Sequence, residues 1–155
     1  MLTKLEQLIG DIRDLNSKLV LLVGASRSGK TKLLRELGSK LNVEPLNVGI
    51  ELGCRLAATP LNTRGFSAGK LLREIADKKC TDDPLLLDNL ELLFEKGLQI
   101  NPLELVRRLA HSKCVVAVWP GELQGDARTG RLTYAEMGHP EHQNYSLNGV
   151  ILFEI

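Results

Sequence analysis

Residues 24–31, with the sequence GASRSGKT, form the segment of the chain whose residue types and spacing are best suited to chemistry. They match the pattern G-x-x-x-x-G-K-S/T without a gap. Gly24 and Gly29 permit a backbone path that a Cβ would obstruct, so consecutive N–H groups can point at phosphate oxygens. Lys30 would reach the β- and γ-phosphates of a nucleotide, and Thr31 would offer a hydroxyl ligand to Mg²⁺. The predicted nucleotide-binding residues are Gly24, Ala25, Ser26, Arg27, Ser28, Gly29, Lys30, Thr31 and Lys32.

The segments on either side of this loop are the ones that a phosphate site requires. Residues 19–23 (LVLLV) form a short apolar run, which predicts a strand buried on both faces. After the loop, leucines recur at helical spacing, and the predicted helix closes near Asn42. The start of that helix adds a partial positive charge to the loop. A chance glycine-rich turn is the alternative, which this strand–loop–helix order disfavours.

A second candidate group follows another predicted buried strand, LLLD, at residues 85–88. Asp88 would hold the water shell of the metal, although Asp88 followed by Asn89 also suits an ordinary turn. Many ATPases with such a loop carry a carboxylate at the position of Asn89, where it orients the attacking water. Glu91 is a candidate substitute for that carboxylate, and its alternative role is a solvated surface charge. The expected metal ligands are Thr31 and Asp88, and the expected catalytic residues are Lys30, Asp88 and Glu91.

Other polar groups are weaker candidates. Arg64, Arg128 and Arg131 lie in predicted loops, from which an arginine could reach a γ-phosphate in the same chain or across an interface. The His139-Pro140-Glu141-His142 segment resembles a zinc motif only loosely, because its histidines are three residues apart and Pro140 breaks a helix. Trp119, at the end of an apolar strand, is expected to be a core residue.

Strands alternate with helices along the rest of the chain, which is typical of a parallel sheet covered on both faces. We therefore expect one domain over residues 1–155 with an α/β fold: a P-loop NTPase three-layer sandwich with a mostly parallel, roughly five-stranded sheet. The other predicted elements are a helix over 2–16, a strand over 46–52, a short helix near 52–58, a loop over 59–65, a helix capped by Ser67, a helix from the Asn101 cap to about His111, a strand over 114–119, mostly loop with a hairpin around 132–134 in the stretch 120–149, and a last strand over 149–153.

Composition excludes several classes of protein. The 155 residues include 20 Lys and Arg against 19 Asp and Glu, and a net charge of +1 gives no overall attraction to nucleic acid or to an anionic membrane. Three cysteines without C-x-x-C spacing indicate free thiols in a reducing compartment. The longest apolar run, residues 19–25, is far shorter than the roughly 20 residues of a membrane span, and charged residues interrupt the first 22 positions. We expect a cytoplasmic protein.

With these residues identified, the chain resembles the P-loop ATPases of the additional-strand class, close to small AAA+-like and STAND-type cores. More narrowly it resembles the BrxF family, small P-loop proteins of type 3 BREX bacteriophage-defence systems. The stretches that carry the resemblance are residues 24–31, 85–94, 118–122 (VWPGE), 132–135 (LTYA) and 138–141 (GHPE).

This resemblance implies ATP and Mg²⁺ as cofactors and other BREX defence proteins as partners, among them a larger ATPase, a methyltransferase and a phosphatase-like protein. DNA would then be contacted only indirectly or through those partners. The usual helical lid of AAA+ proteins would follow the core, and no residue follows Ile155, so we expect no C-terminal lid domain.

Three functions fit these expectations. The first is an ATP-binding subunit, with slow or partner-stimulated hydrolysis, that acts as a nucleotide switch in a defence complex, together with partners or a second copy of the chain. The second is a small-molecule kinase, with arginines of residues 59–66 and 121–131 as its lid. The third is a scaffold whose nucleotide only stabilises the fold, which Asn89 and Trp119 favour.

Overall fold

The computed structural model of the chain describes residues 2–12, 19–24, 29–79, 84–94, 98, 100–111, 113–124, 131–134, 143–145 and 150–155. The helices are α1 (Leu2–Ile12), α2 (Lys30–Leu41), α3 (Val48–Ala57), α4 (Arg64–Lys79) and α5 (Pro102–Leu109), with 3₁₀ helices at Leu61–Thr63 and Leu90–Phe94. The strands are β1 (Leu19–Val23), β2 (Leu46–Asn47), β3 (Leu85–Asp88), β4 (Val115–Val118), β5 (Glu122–Gln124), β6 (Arg131–Tyr134), β7 (Gln143–Tyr145) and β8 (Ile151–Glu154).

The main sheet has five parallel strands in the order β2–β3–β4–β1–β8. β1 lies between β4 and β8, and its Leu21 is opposite Ala117 of β4 and Leu152 of β8. This sheet and its helices confirm the predicted α/β class with a roughly five-stranded, mostly parallel sheet. Among the described residues, no helix combines the length and the apolar character needed to cross a membrane.

Alternating side chains of each strand enter two different apolar clusters. In β1, Leu19, Leu21 and Val23 pack with residues of α3, α4 and α5, whereas Val20 and Leu22 pack with residues of α1 and α2. Because both faces of the strand are covered, all five of its side chains are buried. This explains the continuous apolar runs in the sequence, which are characteristic of strands in parallel sheets.

The predicted strand over 46–52 is wrong beyond its first two residues, and the helix expected near 52–58 begins earlier, at Val48. The Asn47 side chain caps α3 by accepting a hydrogen bond of 3.1 Å from the Ile50 N–H. Val48, Leu52 and Leu56 then repeat at four-residue spacing and are buried. Over so few residues an alternating pattern and a helical pattern overlap, and the cap decides between them.

The predicted helix start at Ser67 is also wrong, because α4 begins at Arg64 and Ser67 lies inside it. The segment expected to be a loop folds instead as a 3₁₀ turn that leads into α4, in which the Thr63 N–H donates to the Pro60 carbonyl at 3.0 Å. This turn supplies the helix start, so a serine cap is not needed.

The stretch 120–149 contains more strand than expected. β5, β6 and β7 form an antiparallel sheet, with Leu123 opposite Leu132 and Leu132 opposite Tyr145. Residues 132–134 therefore lie in the middle strand of a meander. These three short strands mix polar and apolar residues, so they lack the continuous apolar run by which the short strands of the parallel sheet are recognised.

Several boundaries are confirmed. Asn42 ends α2 in the left-handed region with φ of 58°, and the Asn101 side chain caps α5 by accepting from the Glu104 N–H at 3.1 Å. α5 ends at Leu109, two residues before the predicted end. The helix predicted over 2–16 is present as far as Ile12, and residues 13–16 lie outside the described residues.

Candidate functional site

The strand ends bring the main candidate residues to one edge of the parallel sheet. β1 ends at Val23, just before the predicted phosphate loop, and β3 ends at Asp88. α2 begins at Lys30 and continues with Thr31, so that it starts at the same edge. Parallel α/β sheets bind their ligands outside the carboxyl ends of their strands. We call this region, where Lys30, Thr31 and Asp88 meet, the carboxyl edge.

Gly29 has a backbone conformation that explains its residue type. It precedes α2 with φ of 95° and ψ of 18°, in the left-handed region. Its carbonyl accepts the first helical hydrogen bond, from the Leu33 N–H at 2.9 Å. A Cβ at Gly29 would have no heavy atom within 4 Å, so the requirement for glycine is conformational and not steric.

The Lys30 side chain is buried, with 9% of its area exposed. Its ammonium group donates to the carbonyl oxygens of Gly24 at 3.0 Å, Trp119 at 2.8 Å and Gly121 at 3.4 Å. These carbonyls follow the ends of β1 and β4, two neighbouring strands of the sheet. Lys30 thus holds a positive charge at the carboxyl edge with a set of oxygen acceptors, and it ties the start of α2 to the connection between β4 and β5.

Thr31 and Asp88 come together in space from distant parts of the sequence. The Thr31 hydroxyl donates to Asp88 Oδ1 at 3.2 Å, and the Asn89 N–H donates to the same oxygen at 2.8 Å. A hydroxyl beside a carboxylate is an oxygen pair of the kind that Mg²⁺ prefers. The part of the chain that the structure describes holds no group of three or more His, Cys, Asp or Glu side chains suited to a metal.

Asn89 has a structural contact that the sequence did not reveal. Its φ is 58°, and its side-chain amide donates to Asn47 Oδ1 at 3.0 Å. The same Asn47 oxygen caps α3, so Asn89 joins the end of β3 to the end of β2 and the start of α3. A Cβ at Gly49 would overlap the Asn89 amide, which shows how closely the two segments pack. The Asn89 amide is therefore bonded to this junction.

Two further predicted residues lie at the surface. Glu91 is exposed on the 3₁₀ helix Leu90–Phe94, whose residues Leu90, Leu93 and Phe94 are buried. Lys32 is exposed in the first turn of α2. Neither side chain has a hydrogen bond or an ion pair with another described residue.

Trp119 is fully buried, as its apolar surroundings in the sequence predicted. Its ring packs edge-on against Phe94, with ring centres 5.2 Å apart and planes at 77°. The backbone N–H of Trp119 donates to the Leu22 carbonyl of β1 at 3.0 Å, and the backbone carbonyl of Trp119 accepts from Lys30. The core residue thus presents backbone, not a polar side chain, to the carboxyl edge.

The arginine candidates are only partly described. Arg64 is half-buried at the start of α4, where its Nε–H donates to the Thr59 carbonyl at 3.0 Å. Arg131 is the first residue of β6, and Arg128 lies outside the described residues. The other predicted residues outside the described part are Ala25, Ser26, Arg27 and Ser28 of the loop and the segment 139–142.

Comparison of the chain with protein-family models, with curated proteins and with solved structures found no match. The functional interpretation of the carboxyl edge therefore depends on the residues themselves and on their geometry.

Proposed function

We propose that the chain binds Mg-ATP at the carboxyl edge and acts as a nucleotide-dependent subunit of a bacterial antiphage complex of the BREX type. The observation that carries the nucleotide proposal is the 3.2 Å contact between the Thr31 hydroxyl and the Asp88 carboxylate, with Lys30 next in sequence. The order of the strands supports it as well. β4 lies between β1 and β3. The additional-strand class of P-loop ATPases takes its name from a strand inserted in this way.

In this proposal each residue has a separate task. Residues 24–32 surround the phosphates, and the left-handed Gly29 turns the backbone into α2. Lys30 exchanges carbonyl acceptors for phosphate oxygens, which are stronger acceptors because they are charged. Thr31 and Asp88 hold Mg²⁺, and the bound ion would neutralise the negative charge of the phosphates.

We expect hydrolysis by the isolated chain to be slow. An amide at position 89 cannot accept a proton from water, and its contact with Asn47 at 3.0 Å keeps it at the β2–α3 junction. Glu91 is exposed to solvent, where a carboxylate has no support for positioning a water molecule. A partner protein, or a second copy of the chain, would then supply the missing groups, and an arginine supplied in this way raises rates by about 10³–10⁵.

The contact between Asn89 and Asn47 also favours a second candidate function, a scaffold that binds nucleotide without hydrolysing it. The two functions share the binding site and differ in the fate of the γ-phosphate. A scaffold would release no phosphate under any condition, whereas a switch would release phosphate when its partner is present.

The experiment measures Mg-ATP binding and phosphate release together, over a range of protein concentrations and with proteins encoded beside this chain. The proposal predicts tight binding, negligible turnover by dilute protein and stimulation by a partner or by self-association. Asp88→Asn is the test variant. Asp77→Asn is its control, because it removes the same charge from an exposed aspartate that pairs with Lys113. Turnover by dilute wild-type protein near 10 s⁻¹, typical of enzymes, would contradict the switch. Bound nucleotide with no phosphate release in any mixture would favour the scaffold.

A further inference from the structure

An open groove of about 260 Å³ lies between the starts of α4 and α5. Phe66 and Gly69 of α4 line one side of it, and Ile100, Glu104 and Leu105 line the other. We call this feature the α4–α5 groove. Neither the nucleotide proposal nor any of the predicted site residues makes use of it.

The α4–α5 groove has a mixed lining, in which apolar side chains lie beside polar ones and one apolar side chain is unusually exposed. Phe66 exposes 91% of its surface, and the partly buried Ile100 and Leu105 lie beside the same groove. A single exposed apolar residue is ordinary on a protein surface. An exposed aromatic side chain beside a groove that Ile100 and Leu105 also line is a different case, because a partner side chain entering the groove would also cover the ring.

Two glycines of α4 shape the groove. A Cβ at Gly65 would overlap the Leu98 carbonyl oxygen, so α4 packs closely against the chain just before α5. A Cβ at Gly69 would lie 3.4 Å from Leu105 Cδ1, which is ordinary contact distance. Glycine within a helix is about 1 kcal/mol less favourable than alanine. The missing side chain at Gly69 leaves the space beside Leu105 open.

Basic side chains lie in the groove and on the adjoining face of α4. Lys70 and Arg73 follow Phe66 by four and seven positions and therefore share its face of α4, while Arg108 lines the groove from α5. All three are exposed, and none forms an ion pair with another described residue. Glu104, the acidic residue of the lining, is paired with Arg107 at 3.0 Å. The local excess of cations contrasts with the net charge of +1 for the whole chain.

We propose that the α4–α5 groove docks an acidic amphipathic helix of a partner protein. One apolar side chain of that helix would fill the space between Phe66, Ile100 and Leu105, and its carboxylates would face the three unpaired cations, as in other helix-in-groove complexes. The exposed Phe66 ring beside Ile100 and Leu105 favours a protein helix, which can supply an apolar side chain, over a nucleic acid. Glu104 in the lining is already paired with Arg107 at 3.0 Å. The proposal does not depend on nucleotide binding.

The groove lies at the same edge of the sheet as the candidate nucleotide site. α4 leads into β3 and α5 leads into β4, so both helices begin at the carboxyl ends of the parallel strands. The α4–α5 groove therefore opens at the same edge of the sheet as Lys30 and Asp88. A partner seated there would lie at the same edge of the sheet as the candidate nucleotide site.

The test uses fluorescence anisotropy with the full chain and a labelled helical peptide that has leucines on one face and glutamates beside them. We expect saturable binding, a loss of at least about tenfold in affinity for Phe66→Ser, and no change for Leu61→Ser. Leu61 is the matched control because it is 77% exposed and lies outside the groove. The double variant Arg73→Glu/Arg108→Glu should bind the acidic peptide more weakly than wild type does. It should bind a peptide with lysines in place of the glutamates more tightly.

Other outcomes would overturn the proposal. A Gly69→Leu side chain would project into the groove, so unchanged peptide affinity in this variant would mean that the peptide binds elsewhere. Competition by an oligo(dT) strand that also depends on Phe66 would assign the surface to nucleic acid. Absence of saturable binding by the acidic peptide would remove the proposal altogether. Because Phe66→Ser leaves Mg-ATP affinity unchanged in our account, titration of the same variant with Mg-ATP keeps this test separate from that of the nucleotide site.

Discussion

Replacing Lys30 with methionine separates the contribution of its ammonium group to folding stability from its proposed contribution to nucleotide binding. The group donates to the carbonyl oxygens of Gly24, Trp119 and Gly121, at 2.8–3.4 Å, and it is buried. Hydrogen bonds of a charged group contribute about 1.5–3 kcal/mol each, while burial of an ammonium costs several kcal/mol. Because these contributions oppose each other and methionine retains most of the stem, we expect the free energy of unfolding to change by no more than about 1 kcal/mol. Alanine would also remove three buried methylenes, worth about 2 kcal/mol.

Nucleotide binding should respond much more strongly than stability. A lost charge-assisted bond to phosphate, about 1.5–3 kcal/mol, weakens binding roughly 10- to 150-fold. Calorimetric titration with Mg-ATP measures the affinity, and urea unfolding measures the stability. Lys40→Met is the control, since it removes the same charge from the exposed end of α2, where Lys40 pairs with Glu6 at 3.1 Å. Equal affinities for wild type and Lys30→Met would refute the assignment of the phosphate site, as would an equal loss in Lys40→Met.

Two further pairs of variants test the local geometry by denaturant unfolding. Gly29→Ala should lower the free energy of unfolding by about 1–2 kcal/mol, because the φ of Gly29 is 95°. Gly10→Ala, within α1 and equally free of contacts, should raise it by up to about 1 kcal/mol, and a Gly29→Ala variant that is as stable as wild type would show that Gly29 is not conformationally required. Asn47→Ala should cost more than Asn101→Ala, because both remove a helix cap worth about 0.5–2 kcal/mol but only Asn47 also accepts from Asn89. Equal costs for the two asparagines would mean that the Asn89–Asn47 contact contributes nothing.

The parallel sheet could be predicted from the sequence because its strands are buried on both faces. Continuous apolar runs such as residues 19–23 and 85–87 have no other common explanation when they are too short for a helix. Caps were equally informative, since Asn101 followed by Pro102 and Glu104 combines an N-cap, a proline at the first helical position and an acidic first turn. In contrast, residues 46–52 fit two periodicities, and only the bond from Ile50 to Asn47 distinguishes them.

The candidate site was predictable in its side chains and not in its backbone contacts. Lys30 and Thr31 were identified by residue type and spacing and Asp88 by its place at the end of a predicted strand, and in the structure the Thr31 hydroxyl lies 3.2 Å from Asp88. The carbonyl acceptors of Lys30 were missed, because every residue has a carbonyl and residue type therefore carries no signal. The Asn89–Asn47 contact could have been suspected, since asparagine tolerates left-handed backbone after a strand and also caps helices.

The most direct measurement of the central claim is a double-mutant cycle on ATP affinity. Calorimetric titrations with wild type, Thr31→Val, Asp88→Asn and the double variant are made once in Mg²⁺ and once in EDTA. If both side chains hold the same ion, their effects in Mg²⁺ are non-additive by about 0.5–3 kcal/mol, whereas in EDTA each variant binds ATP nearly as well as wild type. Additive effects in Mg²⁺, or a coupling that is equally large in EDTA, would contradict a shared magnesium site at the carboxyl edge.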